Sequence, residues 1–225
     1  MTYGFRVKRS WTRIEPQLLE TFRTLPVANV SDSMSRLCGL GHGLRPMHRS
    51  GNLAGPALTV RTRPGDNLML HKAIDMAEPG DVIVVDGGGD TTNSLMGELM
   101  LAHALKRGVA GFVLYGAVRD AEAFLERNVP VFACGVTHRG PYRTGPGEIG
   151  FAISINGSVV EPGDLILGDL DGVVSVPKAE AATIALAAVK KHEAETKQMT
   201  ETEAGTVKRD WVDIALREAG CEFID

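Results

Sequence analysis

Apolar residues along the first 134 positions are spaced as strands that alternate with helices. Strands are predicted at 57–63, 81–86, 110–118 and 129–133. The runs at 81–86 and 110–118 are continuously apolar, which is typical of strands covered on both faces of a sheet. Helices are predicted over 16–25, 30–37, 69–76, 97–108 and 121–127. Asn29 or Ser31 is the expected N-cap of the second helix, and the alternation indicates parallel βαβ units.

The pattern changes after Cys134. Residues 137–150 are rich in Gly, Pro, His and Arg and predict a surface loop. Antiparallel strands separated by tight turns are predicted at 152–155, 158–160, 165–167 and 173–176. An Ala-rich helix then opens at 177–180 and runs toward Glu203, and a last amphipathic helix is predicted at 211–219.

Composition narrows the class of protein. A chain of 225 residues with 44% hydrophobic and 23% charged residues is ordinary for a globular protein of one large domain, or one domain with an appendage. The net charge of -4 argues against nucleic acid as a partner, because phosphate binding requires clustered Lys and Arg. No apolar run approaches the ~20 residues of a membrane span, and the first nine residues lack the apolar core of a signal peptide.

The three cysteines, Cys38, Cys134 and Cys221, are far apart and show no Cys-x-x-Cys spacing. They therefore fit neither a disulfide framework nor a zinc site, and they favour a reducing compartment. Taken together with the lack of a signal peptide pattern, this predicts a cytoplasmic protein.

A Gly-rich stretch, Val84-Val-Asp-Gly-Gly-Gly-Asp90, ends one of the apolar strands and invites comparison with nucleotide-binding loops. The dinucleotide template Gly-x-Gly-x-x-Gly would require its third glycine at Thr92. A methyltransferase-type Asp-x-Gly-x-Gly would require glycine at Asp90. Both templates fail where the backbone must approach the ligand closely, so a sharp turn is the favoured interpretation.

The segment Gly97-Glu98-Leu99-Met100 opens a predicted helix at the carboxyl end of the sheet. The first N–H groups of a helix lack intrahelical partners and bind carboxylates well. The alternative is a glycine that permits close packing of helix and sheet. The residues alone favour neither interpretation over the other.

Arg119 and Asp120 directly follow the buried 110–118 strand, and open α/β sheets bind ligands at this end of their strands. A carboxylate there can hold a hard divalent metal ion while the adjacent guanidinium binds an anionic substrate. The alternatives are an ion pair between the two side chains, or Asp120 as the N-cap of the helix at 121–127.

Three blocks of this sequence resemble the RraA-like family, whose enzymatic branch comprises the class II pyruvate aldolases for 4-hydroxy-4-methyl-2-oxoglutarate and 4-carboxy-4-hydroxy-2-oxoadipate. The blocks are Gly97-Glu98-Leu99-Met100, Gly116-Ala-Val-Arg119-Asp120 and Gly168-Asp-Leu-Asp171-Gly-Val-Val174. The resemblance extends from about residue 26 to residue 177. It implies an α/β fold of the three-layer β/β/α swivelling type, with a parallel sheet, an antiparallel sheet and a C-terminal helical extension. The implied catalytic domain is 1–177, and 178–225 is an extension that packs on its own or a neighbouring subunit.

The resemblance also implies roles at the site. Asp120 would be the direct protein ligand of a Mg²⁺ or Mn²⁺ ion. Arg119 would pair with the substrate carboxylate and stabilise the developing enolate oxygen. Glu98 stands where the aldolases often carry Asp, and it would orient or deprotonate a metal-bound water. Residues 97–100 as a whole would contact the substrate.

A further implied residue is Glu195, on the long C-terminal helix. In the aldolases a Glu from a neighbouring subunit's C-terminal helix reaches the water shell of the metal, and Glu195 lies at a matching distance along the sequence from Asp120. The resemblance therefore implies a homotrimer or homohexamer with active sites at the subunit contacts. The alternative for Glu195 is a solvated helix face shared with neighbouring lysines.

The implied reaction is a divalent-metal-dependent retro-aldol cleavage of a 4-hydroxy-2-oxo di- or tricarboxylic acid to pyruvate and a 2-oxo acid. Oxaloacetate decarboxylation should accompany it, since both reactions give the same pyruvate enolate. The expected partner is this small 2-oxo acid, without nucleic acid or membrane. The alternative is a non-catalytic RraA-type inhibitor of an RNA-degrading endonuclease. Such members are typically shorter, so the long C-terminal segment and the Arg119-Asp120 pair favour the enzyme.

Overall fold

The central element is a ten-stranded mixed sheet, seen in a computed structural model that describes residues 3–224. In chain order the strands are β1 (Phe5–Val7), β2 (Arg45–Pro46), β3 (Leu53–Thr62), β4 (Val82–Asp86), β5 (Ser94–Met96), β6 (Gly111–Val118), β7 (Val131–Val136), β8 (Gly147–Ile149), β9 (Ile153–Ile155), β10 (Ser158–Val160), β11 (Leu165–Asp169) and β12 (Gly172–Val176). The main path of the sheet is β1-β8-β3-β4-β6-β7-β2, while β11 pairs with β3 and β12, and β5 pairs with β6. β9 and β10 form a separate antiparallel hairpin.

The centre of the sheet is parallel, as the alternation of elements predicts. β3, β4, β6 and β7 run in the same direction and pair in that order. The helices are α1 (Pro16–Arg23), α2 (Val27–Ser33), α3 (Leu68–Met76), α4 (Glu98–Lys106), α5 (Ala121–Arg127), α6 (Ala181–Glu203) and α7 (Asp210–Glu218). α3, α4 and α5 connect the strands of the parallel layer.

The central parallel strands β4 and β6 are almost continuously apolar because both of their faces are covered. In β4, Ile83 and Val85 join an apolar cluster that includes residues of α3, α4 and α5. Val82 and Val84 of the same strand join a second cluster, with side chains from β9 to β12. Alternate residues of one strand therefore serve two different cores.

A third apolar cluster joins β11 and β12 to α1, α2 and the first half of α6. Phe22 and Val30 contribute to it from α1 and α2, and Ala181, Ala185 and Ala188 contribute from α6. The predicted α/β fold, with a mostly parallel sheet, a small antiparallel part and C-terminal helices, is confirmed.

The helix predicted over 30–37 is wrong at both ends. α2 begins directly after Pro26, and it ends before Ser35 and Arg36, whose φ values of 57° and 63° lie outside the right-handed helical region. Asn29 is therefore inside the helix and buried, so it is not the N-cap.

The surface loop predicted over 137–150 is wrong at its end. Gly147–Ile149 forms the buried strand β8, which lies between β1 and β3. Three residues are too few to show an alternation, and glycine and glutamate are depleted in strands. The hydrophobic pattern did not predict β1, β2 or β5 either, because each of these strands has only two or three residues.

The Gly-rich stretch after β4 is a sharp turn, as predicted from its mismatch with the two nucleotide-binding templates. Gly88 and Gly89 both have φ of 71°. The N–H groups of Gly87 and Gly89 both donate to the Tyr115 carbonyl, each over 3.1 Å. The stretch therefore folds back onto β6.

The C-terminal helices lie progressively further from the core. α6 is buried at three alanines near its start, while its residues 193–200 are exposed. α7 has no buried residue, and it presents Trp211 and Ile214 with 63% and 53% of their surface exposed. Within residues 3–224, no helix combines the length and apolarity that crossing a bilayer requires.

Candidate active site

The two motifs singled out in the sequence meet because the strands before them are neighbours. β5 pairs in parallel with the end of β6, and the Arg119 N–H donates to the Met96 carbonyl over 2.9 Å. The turn at Gly97 therefore lies beside the turn at Arg119 and Asp120. Both turns come directly after the carboxyl ends of strands, where α/β sheets bind ligands.

Gly97 is the point of closest approach between the two turns. A Cβ placed on it would lie 2.4 Å from Asp120 Oδ2, 3.0 Å from Arg119 Cγ and 3.1 Å from Arg119 Nε. Its φ of -144° and ψ of -170° are extended backbone that any residue adopts. A larger residue at Gly97 would therefore have to displace the Asp120 and Arg119 side chains, and contact of Gly97 with a substrate stays a prediction.

Asp120 has an uncommon backbone conformation, with φ of 58° and ψ of 45° in the left-handed region. Asp120 occupies the N-cap position of α5, but its side chain makes no capping hydrogen bond, so the predicted capping role of the carboxylate is wrong. Instead its Oδ2 accepts the N–H of Glu98, at the start of α4, over 2.9 Å. Aspartate is one of the few non-glycine residues that adopt this conformation readily, and residues held in it cluster at functional sites.

Arg119 lies beside Asp120 in a loose ion pair. Its Nε is 3.7 Å from Asp120 Oδ2, and the two side chains are 39% and 45% exposed. An exposed pair of this kind contributes only about 0–1 kcal/mol to stability. The predicted ion pair is therefore present. Because the pair is loose, the guanidinium can still donate hydrogen bonds to a ligand.

A cavity of about 200 Å³ opens beside these side chains. Its polar and charged lining includes Asn67, His71, Arg119, Asp120 and Arg143. The volume lies below the ~300–1,000 Å³ that is usual for drug-sized ligands, so the cavity suits a small metabolite.

The N-terminus of α4 forms part of the cavity wall, through Leu99 and Met100. The first intrahelical bond of α4 is donated by Leu101, so the N–H groups of Leu99 and Met100 precede the intrahelical bonds. The Glu98 N–H is already bound to Asp120. Two N–H donors at the positive end of a helix are suited to binding a carboxylate.

Glu98 lies on the other side of Asp120 from this cavity wall. Its carboxylate accepts a hydrogen bond from Arg127 Nη2 over 3.0 Å and is half exposed. Glu98 does not line the 200 Å³ cavity. It borders a separate, open hollow of about 430 Å³ together with Asp120, Glu122 and Glu126. The structure therefore brings both Arg119 and Glu98 to Asp120, but on different sides.

Glu195 lines neither hollow. Its carboxylate accepts a hydrogen bond from Asn29 Nδ2 over 2.5 Å and lies 3.1 Å from Lys191 Nζ. The hydrogen bond from Asn29, followed by that from Lys191, lowers the pKa of Glu195. Within its own chain Glu195 joins α6 to α2, and its contact with a neighbouring subunit's site stays a prediction.

The donor set at Asp120 suits a divalent cation that keeps most of its water. Oδ2 accepts the Glu98 N–H, whereas Oδ1 has no hydrogen-bond partner among residues 3–224. The same part of the chain contains no group of three or more His, Cys, Asp or Glu side chains placed to hold a metal. Mg²⁺ requires only one or two protein carboxylates, so this exposed carboxylate fits such an ion. It does not fit Zn²⁺, which needs three or four protein ligands.

Asn67, His71 and Arg143 line the cavity without belonging to any motif recognised in the sequence. Asn67 and His71 lie four residues apart around the start of α3, which is the one local signal of a shared face. Arg143 comes from the 137–150 segment, and only tertiary structure brings it to the same place. Asp66 was also missed, although its carboxylate is fully buried.

This fold and site define an RraA-like protein. The family model described as RraA-like, Aldolase/RraA, matches residues 27–175, and the chain belongs to this family. A protein of Halalkalibacterium halodurans, provisionally named 4-hydroxy-4-methyl-2-oxoglutarate aldolase, is 40% identical over 180 residues, which cover 80% of this chain and 86% of that relative. The resemblance inferred from the sequence motifs is therefore confirmed.

Two solved structures share the fold. An uncharacterized protein from Pseudomonas syringae pv. tomato matches with a TM-score of 0.79 and 27% identity, over 87% of this chain and 96% of that one. Streptomyces coelicolor RraAS2, described as an unusual member of the RNase ES inhibitor RraA protein family, matches with a TM-score of 0.76 and 26% identity, over 83% of this chain and 98% of that one.

Proposed function

We propose that this protein is a divalent-metal-dependent aldolase that cleaves a 4-hydroxy-2-oxo di- or tricarboxylic acid to pyruvate and a second 2-oxo acid. The main support is that Arg119, Asp120 and the first residues of α4 line one small cavity. The 40% identity to a relative provisionally named as such an aldolase supports the same assignment. Oxaloacetate decarboxylation should accompany the cleavage, because loss of CO₂ gives the same pyruvate enolate.

The groups around the cavity have distinct tasks in this reaction. The N–H groups of Leu99 and Met100 bind the carboxylate of the 2-oxo acid. The Arg119 guanidinium stabilises the negative charge that develops on the keto oxygen when the C3–C4 bond breaks. The C4 hydroxyl loses its proton during cleavage, and C3 of the enolate gains one afterwards. We assign to Glu98 the orientation of the water that exchanges these protons, which requires its carboxylate to leave Arg127 and turn toward the cavity from the other side of Asp120.

Asp120 is the residue that would hold Mg²⁺ or Mn²⁺, through the carboxylate oxygen that the Glu98 N–H leaves open. The ion would supply Lewis-acid polarisation of the 2-oxo group. The hydrogen bond from Glu98 and the fixed backbone orient the carboxylate in advance.

The direct test is a coupled pyruvate assay on the full chain, over a panel of 4-hydroxy-2-oxo diacids and oxaloacetate with Mg²⁺, Mn²⁺ or EDTA. We expect pyruvate from oxaloacetate and from at least one aldol substrate, loss of activity in EDTA, and recovery with added metal. Release of no pyruvate from any member of the panel with either metal would contradict the proposal.

A second candidate function is inhibition of an RNA-degrading endonuclease. The observation in its favour is the structural likeness to RraAS2, at a TM-score of 0.76. Adding the purified protein to such an endonuclease would slow RNA cleavage if this candidate is correct. Unchanged RNA cleavage, together with metal-dependent pyruvate release, would favour the aldolase.

Gly97→Ala tests the packing of the site without removing a charged group. The added methyl group must displace the Asp120 carboxylate and the Arg119 side chain, so we expect kcat/KM to fall about 100-fold. The melting temperature should change little, because the backbone at Gly97 is extended. Gly43→Ala is the matched control, since a Cβ there meets no atom within 4 Å. Equal activity of the two variants would show that the site tolerates the displacement.

We also propose that the chain assembles as a homotrimer or homohexamer, and that Glu195 reaches a neighbour's site. The exposed apolar face of α7, with Trp211 and Ile214, is a surface that closed symmetry would bury. Deleting residues 205–225 should lower both the sedimentation coefficient and the activity. Deleting only 221–225 keeps α7 and is the control. A fully active monomer would contradict this proposal.

We place this activity in the cytoplasm, with a small 2-oxo acid as partner and without nucleic acid or membrane. The three cysteines are free thiols. Burial raises the pKa of the Cys38 and Cys134 thiols, which keeps them protonated and weakly reactive. Such thiols are compatible with the reducing compartment that the sequence favours.

A further inference from the structure

Two side chains in the cavity wall, Asn67 and His71, each carry a buried polar atom without a partner. Asn67 is 1% exposed and uses its Nδ2 to donate to the Leu95 carbonyl over 3.0 Å and to Met100 Sδ over 3.3 Å. Its Oδ1 has no hydrogen-bond partner among residues 3–224, and neither has Nε2 of His71. Buried polar atoms are rarely left unsatisfied in native proteins, so a ligand or water is expected to complete them.

Arg143 adds a positive charge to the same wall. No carboxylate among residues 3–224 lies within salt-bridge distance of its guanidinium, which is exposed at the cavity. Burial lowers the pKa of the His71 imidazole, and the charge of Arg143 lowers it further. Both effects favour the neutral imidazole, which can either donate or accept a hydrogen bond at Nε2.

The buried carboxylate of Asp66 fixes these groups relative to one another. It accepts the N–H of Leu68 over 2.9 Å, at the start of the helix that carries His71. It also accepts the N–H groups of Thr144 over 2.7 Å and Gly145 over 2.9 Å, in the loop that carries Arg143. Burial opposes ionisation of Asp66, but these hydrogen bonds outweigh it and hold the pKa of its carboxyl below the usual value. The wall is thus built before any ligand binds.

We propose that Asn67, His71 and Arg143 form a subsite for the half of the substrate beyond C3. This assignment rests on the proposed function, in which Arg119 and the N-terminus of α4 bind the pyruvate half. Arg143 requires an anion, and Asn67 Oδ1 requires a hydrogen-bond donor. A 4-hydroxy-2-oxo diacid offers both beyond C3, as the distal carboxylate and the C4 hydroxyl. His71 satisfies either group through Nε2.

The subsite therefore distinguishes substrates by two features. A 2-oxo diacid without the hydroxyl engages Arg143 but leaves Asn67 Oδ1 without a donor. Pyruvate reaches neither group. A site that is built to hydrogen-bond a hydroxyl discriminates strongly against analogues that lack it. This gives the cavity its preference for a hydroxylated diacid over the shorter 2-oxo acids.

The test measures ligand binding separately from turnover. Calorimetry on the Mg²⁺-loaded full chain compares pyruvate with 2-oxoglutarate, which keeps the distal carboxylate but lacks the hydroxyl. In Arg143→Gln we expect the Kd of 2-oxoglutarate to rise ~10- to 100-fold, as for loss of a charge-assisted hydrogen bond, and that of pyruvate less than about threefold. Arg139→Gln, in the same loop and outside the cavity, is the matched control.

Asn67→Leu tests the hydroxyl contact. It should raise the KM for 4-hydroxy-4-methyl-2-oxoglutarate ~10-fold or more and leave the Kd of 2-oxoglutarate much less affected. Equal losses for pyruvate and 2-oxoglutarate in Arg143→Gln, or no loss for either, would overturn the subsite. If the wild type discriminates between these two ligands through Arg143 but releases no pyruvate from aldol substrates, then the proposed reaction is wrong and the distal-carboxylate contact stands.

Discussion

Asp120→Ala should abolish turnover and divalent metal binding without unfolding the protein. We expect kcat/KM to fall at least ~1,000-fold, which corresponds to ~4 kcal/mol of transition-state stabilisation. The fold should survive, because the side chain is 45% exposed and contributes one hydrogen bond, to the Glu98 N–H, and because alanine loses only roughly 1–2 kcal/mol in the left-handed conformation. Asp120 belongs to none of the three apolar clusters, so the substitution removes no packing contact from them.

The measurement pairs the coupled pyruvate assay with calorimetric titration of Mn²⁺, and circular dichroism monitors the fold. Asp75→Ala is the matched control, since Asp75 is a surface carboxylate that pairs with His103 over 3.0 Å. Its metal affinity and turnover should equal those of the wild type. Unchanged metal affinity in Asp120→Ala would show that Asp120 is not the metal ligand and would contradict the proposed mechanism.

Arg119→Lys should lose at least ~100-fold in kcat although the positive charge is kept. The reason is geometric: a guanidinium donates from a planar fork, whereas an ammonium is a compact charge on a flexible chain. Removing one well-placed donor at a developing oxyanion typically costs ~100- to 1,000-fold. The KM should change less than kcat, because the α4 N–H groups still bind the carboxylate.

Steady-state kinetics on oxaloacetate and on an aldol substrate would separate kcat from KM in this variant. Arg107→Lys is the control, since Arg107 is exposed and donates to the Ala77 carbonyl away from the cavity. If Arg119→Lys forms pyruvate at a near-wild-type rate, then Arg119 has only a structural role and another group must stabilise the enolate.

The pairing of motifs was predictable because it depends on strand order and little else. The residues after a buried parallel strand lie at the carboxyl edge of the sheet, so the positions of Arg119 and Asp120 could be inferred. The same holds for Gly97, at the start of a helix on that edge. Periodicity was similarly sufficient for the parallel strands and for α6, which are long and regular.

The direction of individual side chains was not predictable. A short-range rule makes Asp120 a helix cap, but its left-handed backbone turns the carboxylate to α4, which is 22 residues earlier in the chain. Glu98 was expected to act in the same pocket as Arg119, yet Arg127 holds its carboxylate on the other side of Asp120. Both outcomes depend on contacts distant in sequence, which local spacing does not encode.

The remaining cavity wall was missed for a related reason. Asn67 and Arg143 are 76 positions apart, and their segments are connected by the buried Asp66 carboxylate and by the Asn67 N–H, which donates to the Tyr142 carbonyl. The 137–150 segment has the composition of a solvent-exposed loop, but Asp66 anchors its middle and β8 ends it in the sheet. The composition of a segment indicates how exposed its residues are on average. It does not reveal that one buried carboxylate, that of Asp66, holds the segment in place.

The left-handed backbone at Asp120 limits how this position can change during evolution. Residues other than glycine, asparagine and aspartate lose roughly 1–2 kcal/mol in that conformation. The position at the end of β6 therefore accepts aspartate more readily than glutamate, although both carry a carboxylate. Asparagine and glycine are also tolerated by the backbone but carry no charge. A single nucleotide change to one of these codons would thus produce a folded protein that lacks the proposed metal ligand.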